Sequence, residues 1–113
     1  MEFRKPKPIY KQIATYIIYQ ILENNWADGQ RIPSVRELAS DIEVNPNTVA
    51  RTYNLLSDEG IIHTKRGVGY FLEEDAYNNA KSYLKSEFEK EEIPYLRKII
   101  DILQIDLSKY ISK

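Results

Sequence analysis

The chain of 113 residues contains no cysteine and a single histidine, His63. The lack of cysteine excludes disulfides, Cys-ligated zinc, iron–sulfur clusters and thiol catalysis. One histidine leaves no material for multi-histidine metal sites or histidine-based triads, so we predict neither a metal nor a cofactor. No apolar run approaches the roughly 18–20 residues that cross a bilayer, and the N-terminus lacks the apolar core of a signal peptide. We therefore expect a soluble cytoplasmic protein with no membrane partner.

The composition is that of a globular chain, with 42% hydrophobic and 29% charged residues. The net charge of −1 divides almost evenly: residues 1–72 hold nine basic and eight acidic side chains, and residues 73–113 hold seven and nine. Placement matters more than the total, because local basic clusters can bind phosphate in a nearly neutral chain. Such clusters occur at Arg4, Lys5, Lys7 and Lys11, and at Lys65-Arg66. An ordinary solvated surface explains them equally well.

Two amphipathic segments predict the first two helices. Isoleucines that recur every four residues from Ile13 onward predict a helix over about 8–24. Ser34 followed by Glu37 is the pattern of a capping box, and the apolar spacing after it predicts a second helix over about 34–42.

A third helix is predicted to follow almost at once. Asn45 is a good N-cap and Pro46 a good first helical residue, while Gly60 is typical of a helix C-terminus. Only Glu43 and Val44 separate this helix from the second. A tight turn between two short helices is the helix-turn-helix pattern.

The pattern then changes to strand. Residues 61–64 and 70–72 are rich in β-branched and aromatic side chains, and the segment 65–69 between them contains two glycines. This predicts a β-hairpin over about 61–72. Three helices followed by a hairpin give the order of a winged helix-turn-helix, so the predicted fold class is mainly α with a small β-hairpin.

The last third of the chain returns to helical periodicity. It predicts a helix over about 75–90, an interruption at Pro94, a second helix carrying Ile93 to Leu103, and a short third around 107–111. We divide the chain into a winged helix-turn-helix domain, 1–72, and a helical segment, 73–113.

Five stretches of the chain, in order and at matching spacing, resemble the GntR family of bacterial transcription regulators, and in particular its short YtrA-like branch. They are residues 8–13, 29–39, 44–53, 56–62 and 65–71. The resemblance implies sequence-specific binding of double-stranded DNA by a homodimer, with the third helix in the major groove and the hairpin tip at the minor groove. It further implies a transcription regulator, most simply a repressor, on a palindromic operator. Residues 1–72 would then be the DNA-binding domain and 73–113 a helical dimerisation segment. That segment is too short to enclose the small-molecule pocket of larger family members, so an effector would have to use the dimer interface or be absent.

The resemblance also implies particular DNA contacts. Arg36 matches the arginine that opens the family's second helix, Thr48 a contact early in the recognition helix, and Arg66 with Gly67 the wing tip. Many family members carry arginines where this chain has Pro46 and Ala50. The resemblance to the YtrA-like branch assigns base readout instead to Asn45, Asn47 and Arg51. The candidate DNA-binding residues are Arg36, Asn45, Asn47, Thr48, Arg51, Lys65, Arg66 and Gly67.

Several candidates have a plainer explanation that the sequence leaves open. Arg36 could be an exposed residue of the helix surface with no partner. Capping alone explains Asn45, and Arg51 could pair with Asn47 or Glu43 instead of DNA. Lys65 and its neighbour could simply keep a hairpin edge soluble. His63 and the tyrosines beside apolar helix positions are expected to be structural.

Two other classes of function compete with this hypothesis. A winged helix used for contact with another protein predicts apolar residues on the third helix, where this chain has Asn, Thr and Arg. An enzyme requires a nucleophile–base pair, a metal cluster or a phosphate loop, and the sequence offers none of these. The sequence therefore predicts a regulator and not an enzyme.

Overall fold

A computed structural model of the chain describes residues 5–111, so Arg4 of the N-terminal basic cluster lies outside the described residues. The helices are α1 (Ile9–Leu22), α2 (Val35–Asp41), α3 (Pro46–Asp58), α4 (Ala76–Glu87) and α5 (Ile93–Leu103), and the strands are β1 (Arg31–Ile32), β2 (Ile62–Lys65) and β3 (Gly69–Leu72). Contacts divide the chain into two compact units, one reaching to Ser82 and the other beginning at Tyr83. Within residues 5–111, every helix is too short or too polar to span a bilayer.

The core of the first unit forms where α1, α2 and α3 pack against one another and the sheet. The isoleucines of α1 supply one side and α3 supplies the other, as their periodicity predicts. Ala76 and Ala80, near the start of α4, are also fully buried. The largest wholly buried side chains are Ile17, Ile18, Ile21, Val49, Thr52, Tyr53, Leu56, Ile61, Ile62 and Leu72.

Tyr53 links α3 to the sheet and to the start of α2. Its ring meets Tyr70 edge-on, with centroids 4.8 Å apart, and its hydroxyl donates a hydrogen bond of 2.6 Å to the carbonyl of Pro33. Burial raises the pKa of Tyr53 far above its ordinary value, so the side chain stays a neutral donor. These two contacts of Tyr53 fix the rotation of α3 about its axis, and so determine which of its residues are exposed.

The predicted helix caps are confirmed. The Ser34 hydroxyl accepts from the N–H of Glu37, and the Glu37 carboxylate accepts from the N–H of Ser34, which is the complete capping box. The Asn45 side chain caps α3. Gly60 follows the last turn of α3 with φ of 71°, a conformation that glycine adopts without strain.

The turn between α2 and α3 also contains a residue with positive φ, as the end of α3 does at Gly60, but here that residue is not a glycine. The N–H of Glu43 bonds to the carbonyl of Ser40, and the N–H of Val44 bonds to the carbonyl of Ala39. Glu43 therefore sits in the left-handed region, with φ of 56°. A side chain in this region crowds its own backbone, which costs about 1–2 kcal/mol.

We expect Glu43→Gly to stabilise the protein by about 0.5–1 kcal/mol, because glycine removes this strain but loses more backbone entropy on folding. The measurement is the Tm, which should rise by about 2–6 °C. Glu43→Ala is the matched control, since it removes the same charge but keeps a Cβ. An equal rise in both variants would show that charge, and not backbone strain, limits stability here.

The sheet has a third strand that the sequence did not predict. The strand order is β1-β3-β2, antiparallel throughout, with Arg31 opposite Phe71 and Ile32 opposite Tyr70. The predicted hairpin is confirmed as β2 and β3. β1 was not predicted because a strand of two residues is too short to show an alternation of apolar and polar side chains. It nevertheless buries Ile32 and fixes the segment that leads into α2.

The second unit consists of the end of α4, a π-helical turn at Phe88–Glu92, α5, and a 3₁₀ turn at Leu107–Lys109. The predicted interruption is present: α4 ends at Glu87, and the π-helical turn that separates it from α5 ends two residues before Pro94, which lies in the first turn of α5. The short third helix is this 3₁₀ turn, opened by the Asp106 carboxylate, which accepts from the N–H of Ser108 at 3.1 Å.

Candidate nucleic-acid interface

The exposed face of α3 is polar along its whole length. Asn47, Arg51, Asn54 and Asp58 recur at three- and four-residue spacing, so they form one stripe, and all four are exposed. The opposite face carries the buried core residues, among them Tyr53. The packing of α3 therefore presents two asparagines and an arginine to the outside.

The N-terminus of α3 brings two predicted residues into direct contact. The Asn45 side-chain oxygen accepts the N–H of Asn47 at 2.7 Å, which commits that oxygen to the helix and leaves the Asn45 amide nitrogen as the donor on the exposed side. Thr48 lies in the same first turn and is half-buried. Backbone N–H groups at such a helix end attract phosphate.

Arg51 makes a contact that the sequence did not predict. Its guanidinium carbon lies 3.9 Å from the centroid of the Tyr10 ring on α1. The predicted alternatives were Asn47 and Glu43, and neither is the contact seen here. The sequence predicts only a packing role for Tyr10, because spacing within one helix cannot show that α1 passes beside the exposed stripe of α3.

Arg36 lies in the first turn of α2 and is exposed. Ser34 and Glu37, which form the capping box, flank Arg36 in the sequence and hold this first turn in place. The N–H and hydroxyl of Ser34 lower the pKa of Glu37 below its ordinary value, and the nearby charge of Arg31 adds to this effect. Glu37 therefore stays ionised near neutral pH and keeps the start of α2 fixed.

The wing places its three predicted residues on the surface. Lys65, Arg66 and Gly67 are all exposed, and the N–H of Val68 closes the turn on the carbonyl of Lys65 at 2.9 Å. Gly67 has φ of 77°, and a Cβ built there would meet nothing within 4 Å, so its glycine is required by backbone conformation and not by lack of space. The Lys65 ammonium lies 4.3 Å from the centroid of the Phe71 ring, which directs the side chain along the outer face of the sheet.

Arg31 is an additional cation beside the wing that sequence reasoning missed. A Cβ added to Gly69 would lie 3.0 Å from its Nε, so the arginine runs directly over this glycine. Gly69 also has φ of 141°. Arg31 could have been placed here only by predicting strand β1, and a strand of two residues has no periodicity from which to predict it.

Three helices, a four-residue turn between the second and third, and a two-stranded wing make the first unit a winged helix-turn-helix domain. Residues 9–72 match the family described as bacterial regulatory proteins, gntR family. The chain therefore belongs to the GntR family, and the predicted resemblance and fold class are confirmed.

Curated relatives support the same assignment. Over 75 residues the chain is 45% identical to the HTH-type transcriptional regulator YhcF of Bacillus subtilis, covering 66% of this chain and 62% of that protein. Over 73 residues it is 45% identical to the HTH-type transcriptional repressor YtrA of the same species, covering 65% and 56%. The matched segment thus spans less than two thirds of these relatives. Both are named as regulators of transcription and not as enzymes. The prediction of a regulator and not an enzyme is therefore confirmed at the level of the family.

Solved structures match over more of the chain. A GntR family transcriptional regulator from Listeria monocytogenes is 37% identical, with a TM-score of 0.73 over 96% of this chain and 93% of that one. BusR of S. agalactiae, solved in complex with its busA-promotor DNA, is 25% identical, with a TM-score of 0.67 over 84% and 48%.

Proposed function

We propose that this protein is a sequence-specific DNA-binding regulator of transcription that acts in the cytoplasm as a homodimeric repressor on a palindromic operator. The observation that carries the proposal is the exposed stripe of α3, where Asn47 and Arg51 face outward from a domain of the GntR family. The repressor name of YtrA and the DNA complex of BusR support it by similarity.

The chemistry of the exposed residues fits duplex DNA. An asparagine can pair with adenine through two hydrogen bonds, and an arginine can do the same with guanine, both in the major groove. Thr48 and the backbone N–H groups at the start of α3 suit a phosphate. At the wing, Gly67 allows close approach to the sugar-phosphate backbone, and Arg66 suits a narrow minor groove.

Homodimerisation is assigned to the helical segment 73–113. Every residue of α5 is at least partly exposed, although one half of its surface is apolar. A second copy related by a two-fold axis would cover such a face in both chains and hold two recognition helices at a fixed spacing.

The competing hypothesis of a protein-binding winged helix requires an apolar patch on α3. The exposed stripe instead carries two amides, a guanidinium and a carboxylate. All four groups are costly to desolvate against an apolar partner. The amides and the guanidinium can donate to base edges and phosphates, whereas the carboxylate can only accept from a base edge.

The experiment that tests the proposal is selection of bound sequences from random duplex DNA with the full chain, followed by anisotropy titrations of the recovered duplex. We expect an inverted repeat, bound at least 10³-fold more tightly than a scrambled duplex. A promoter containing the repeat should lose expression when the protein is present. Recovery of unenriched sequence would refute sequence-specific binding, and raised expression would refute repression.

The wing is expected to contribute affinity without sequence preference. Replacing Lys65 and Arg66 together by alanine should weaken binding to all duplexes and flatten the dependence of log affinity on log salt by about 0.9 per lost phosphate contact. Titrations at several salt concentrations measure this slope. Lys81→Ala with Lys85→Ala removes two exposed lysines from α4 and serves as the matched control. If the slope of log affinity against log salt were unchanged in the wing variant, the wing would not contact DNA phosphates.

A further inference from the structure

The most specific contact of the exposed stripe joins two helices. Arg51 is exposed on α3, yet its guanidinium lies over the ring of Tyr10, which belongs to α1 and is half-buried. A free arginine on a helix surface samples many rotamers, and binding then requires that freedom to be given up. At 3.9 Å from the ring centroid, the guanidinium is already held against a rigid surface.

The position of Tyr10 is itself fixed by α3. Thr52 is wholly buried. Its hydroxyl donates a hydrogen bond of 2.7 Å to the backbone carbonyl of Tyr10 and lies 3.2 Å from the carbonyl of Thr48. Thr52 directly follows Arg51 in the chain. The aromatic ring and the arginine are therefore held in register by a buried bond next to both of them.

We propose that Tyr10 is a positioning residue for DNA recognition by Arg51, and this inference rests on the proposed function. The ring takes the face of the guanidinium, whereas the N–H donors of arginine lie along its edge. Stacking therefore leaves the donors available for a guanine or a phosphate while it removes most of the competing rotamers. Tyr10 thereby sharpens the readout of the base pair that faces Arg51.

The test is a double-mutant cycle in the full chain, with Tyr10→Leu, Arg51→Ala and the double variant titrated against the selected duplex. Tyr10→Leu should weaken binding by about 3- to 10-fold, because the contact is present before DNA binds and only the rotamer freedom that it has already removed enters the affinity. In the Arg51→Ala background the same change should have no further effect, because the group it positions is gone. Repeating the selection with Tyr10→Leu should show a relaxed preference at one base pair per half-site.

Tyr10→Phe separates the ring from the hydroxyl, and it is expected to bind like the wild type. Arg51→Lys supplies a test that does not depend on the folding of the leucine variant, since lysine keeps the charge but stacks poorly, and it should bind as weakly as Arg51→Ala. Thermal melts of every variant separate loss of fold from loss of recognition.

Several results would overturn the inference. Equal losses from Tyr10→Leu in both backgrounds would show that the ring acts independently of Arg51. Tighter binding by Tyr10→Leu would show that the ring holds the arginine away from DNA, and a large loss in Tyr10→Phe would assign the effect to the hydroxyl. A wild-type chain that enriches no sequence would refute the proposed function first, and the inference with it.

Discussion

Arg36→Ala is expected to weaken binding to the selected operator by about 5- to 150-fold, the loss that corresponds to one bidentate arginine contact of roughly 1–3 kcal/mol. Arg36 is exposed in the first turn of α2, and the capping box of Ser34 and Glu37 holds that turn whether or not the arginine is present. The variant should therefore keep its fold and lose recognition. Anisotropy titrations measure the affinity, and a repeated selection measures base preference.

The matched control is Arg97→Ala, which removes an exposed arginine from α5 in the second unit. It should bind as the wild type does at the same salt concentration. If Arg36→Ala bound within twofold of the wild type, or lost no more than this control, the arginine would be ordinary surface charge.

Much of the fold was predictable because its signals are local. The capping box at Ser34, the Asn45-Pro46 start of α3 and the glycine at position 60 each act within one turn of chain, and the structure contains all three. The tight turn at Glu43 was predicted from its length alone. Its positive φ was not predictable, because glutamate gives no signal for that conformation.

Contacts between elements were harder to predict. β1 is too short for periodicity, so Arg31 could not be placed beside Gly69 before the strand was known. Likewise, nothing in the spacing within α1 or α3 indicates that Tyr10 meets Arg51. Sequence patterns identified which helix face is exposed, whereas the partners of the side chains on that face depend on how the helices cross.

The second large effect is expected from charges placed on α5. The helix divides into a polar half and an apolar half, and Leu96 and Leu103 of the apolar half are 40% and 62% exposed. Exposed leucines on one face of an amphipathic helix are stabilised when a second copy covers them. Leu96→Lys combined with Leu103→Lys should therefore give a monomer at micromolar concentration, as measured by sedimentation.

Loss of the dimer should reduce affinity for the full palindrome by about 10²- to 10⁴-fold, because the two half-sites are then no longer bound through one linked molecule. Affinity for a duplex with a single half-site should stay unchanged, since α2, α3 and the wing are untouched. Asp101→Lys, on the polar half of α5, is the matched control and should remain dimeric. A monomeric wild type, or a double lysine variant that still sediments as a dimer, would contradict the assignment of residues 73–113 as the dimerisation segment.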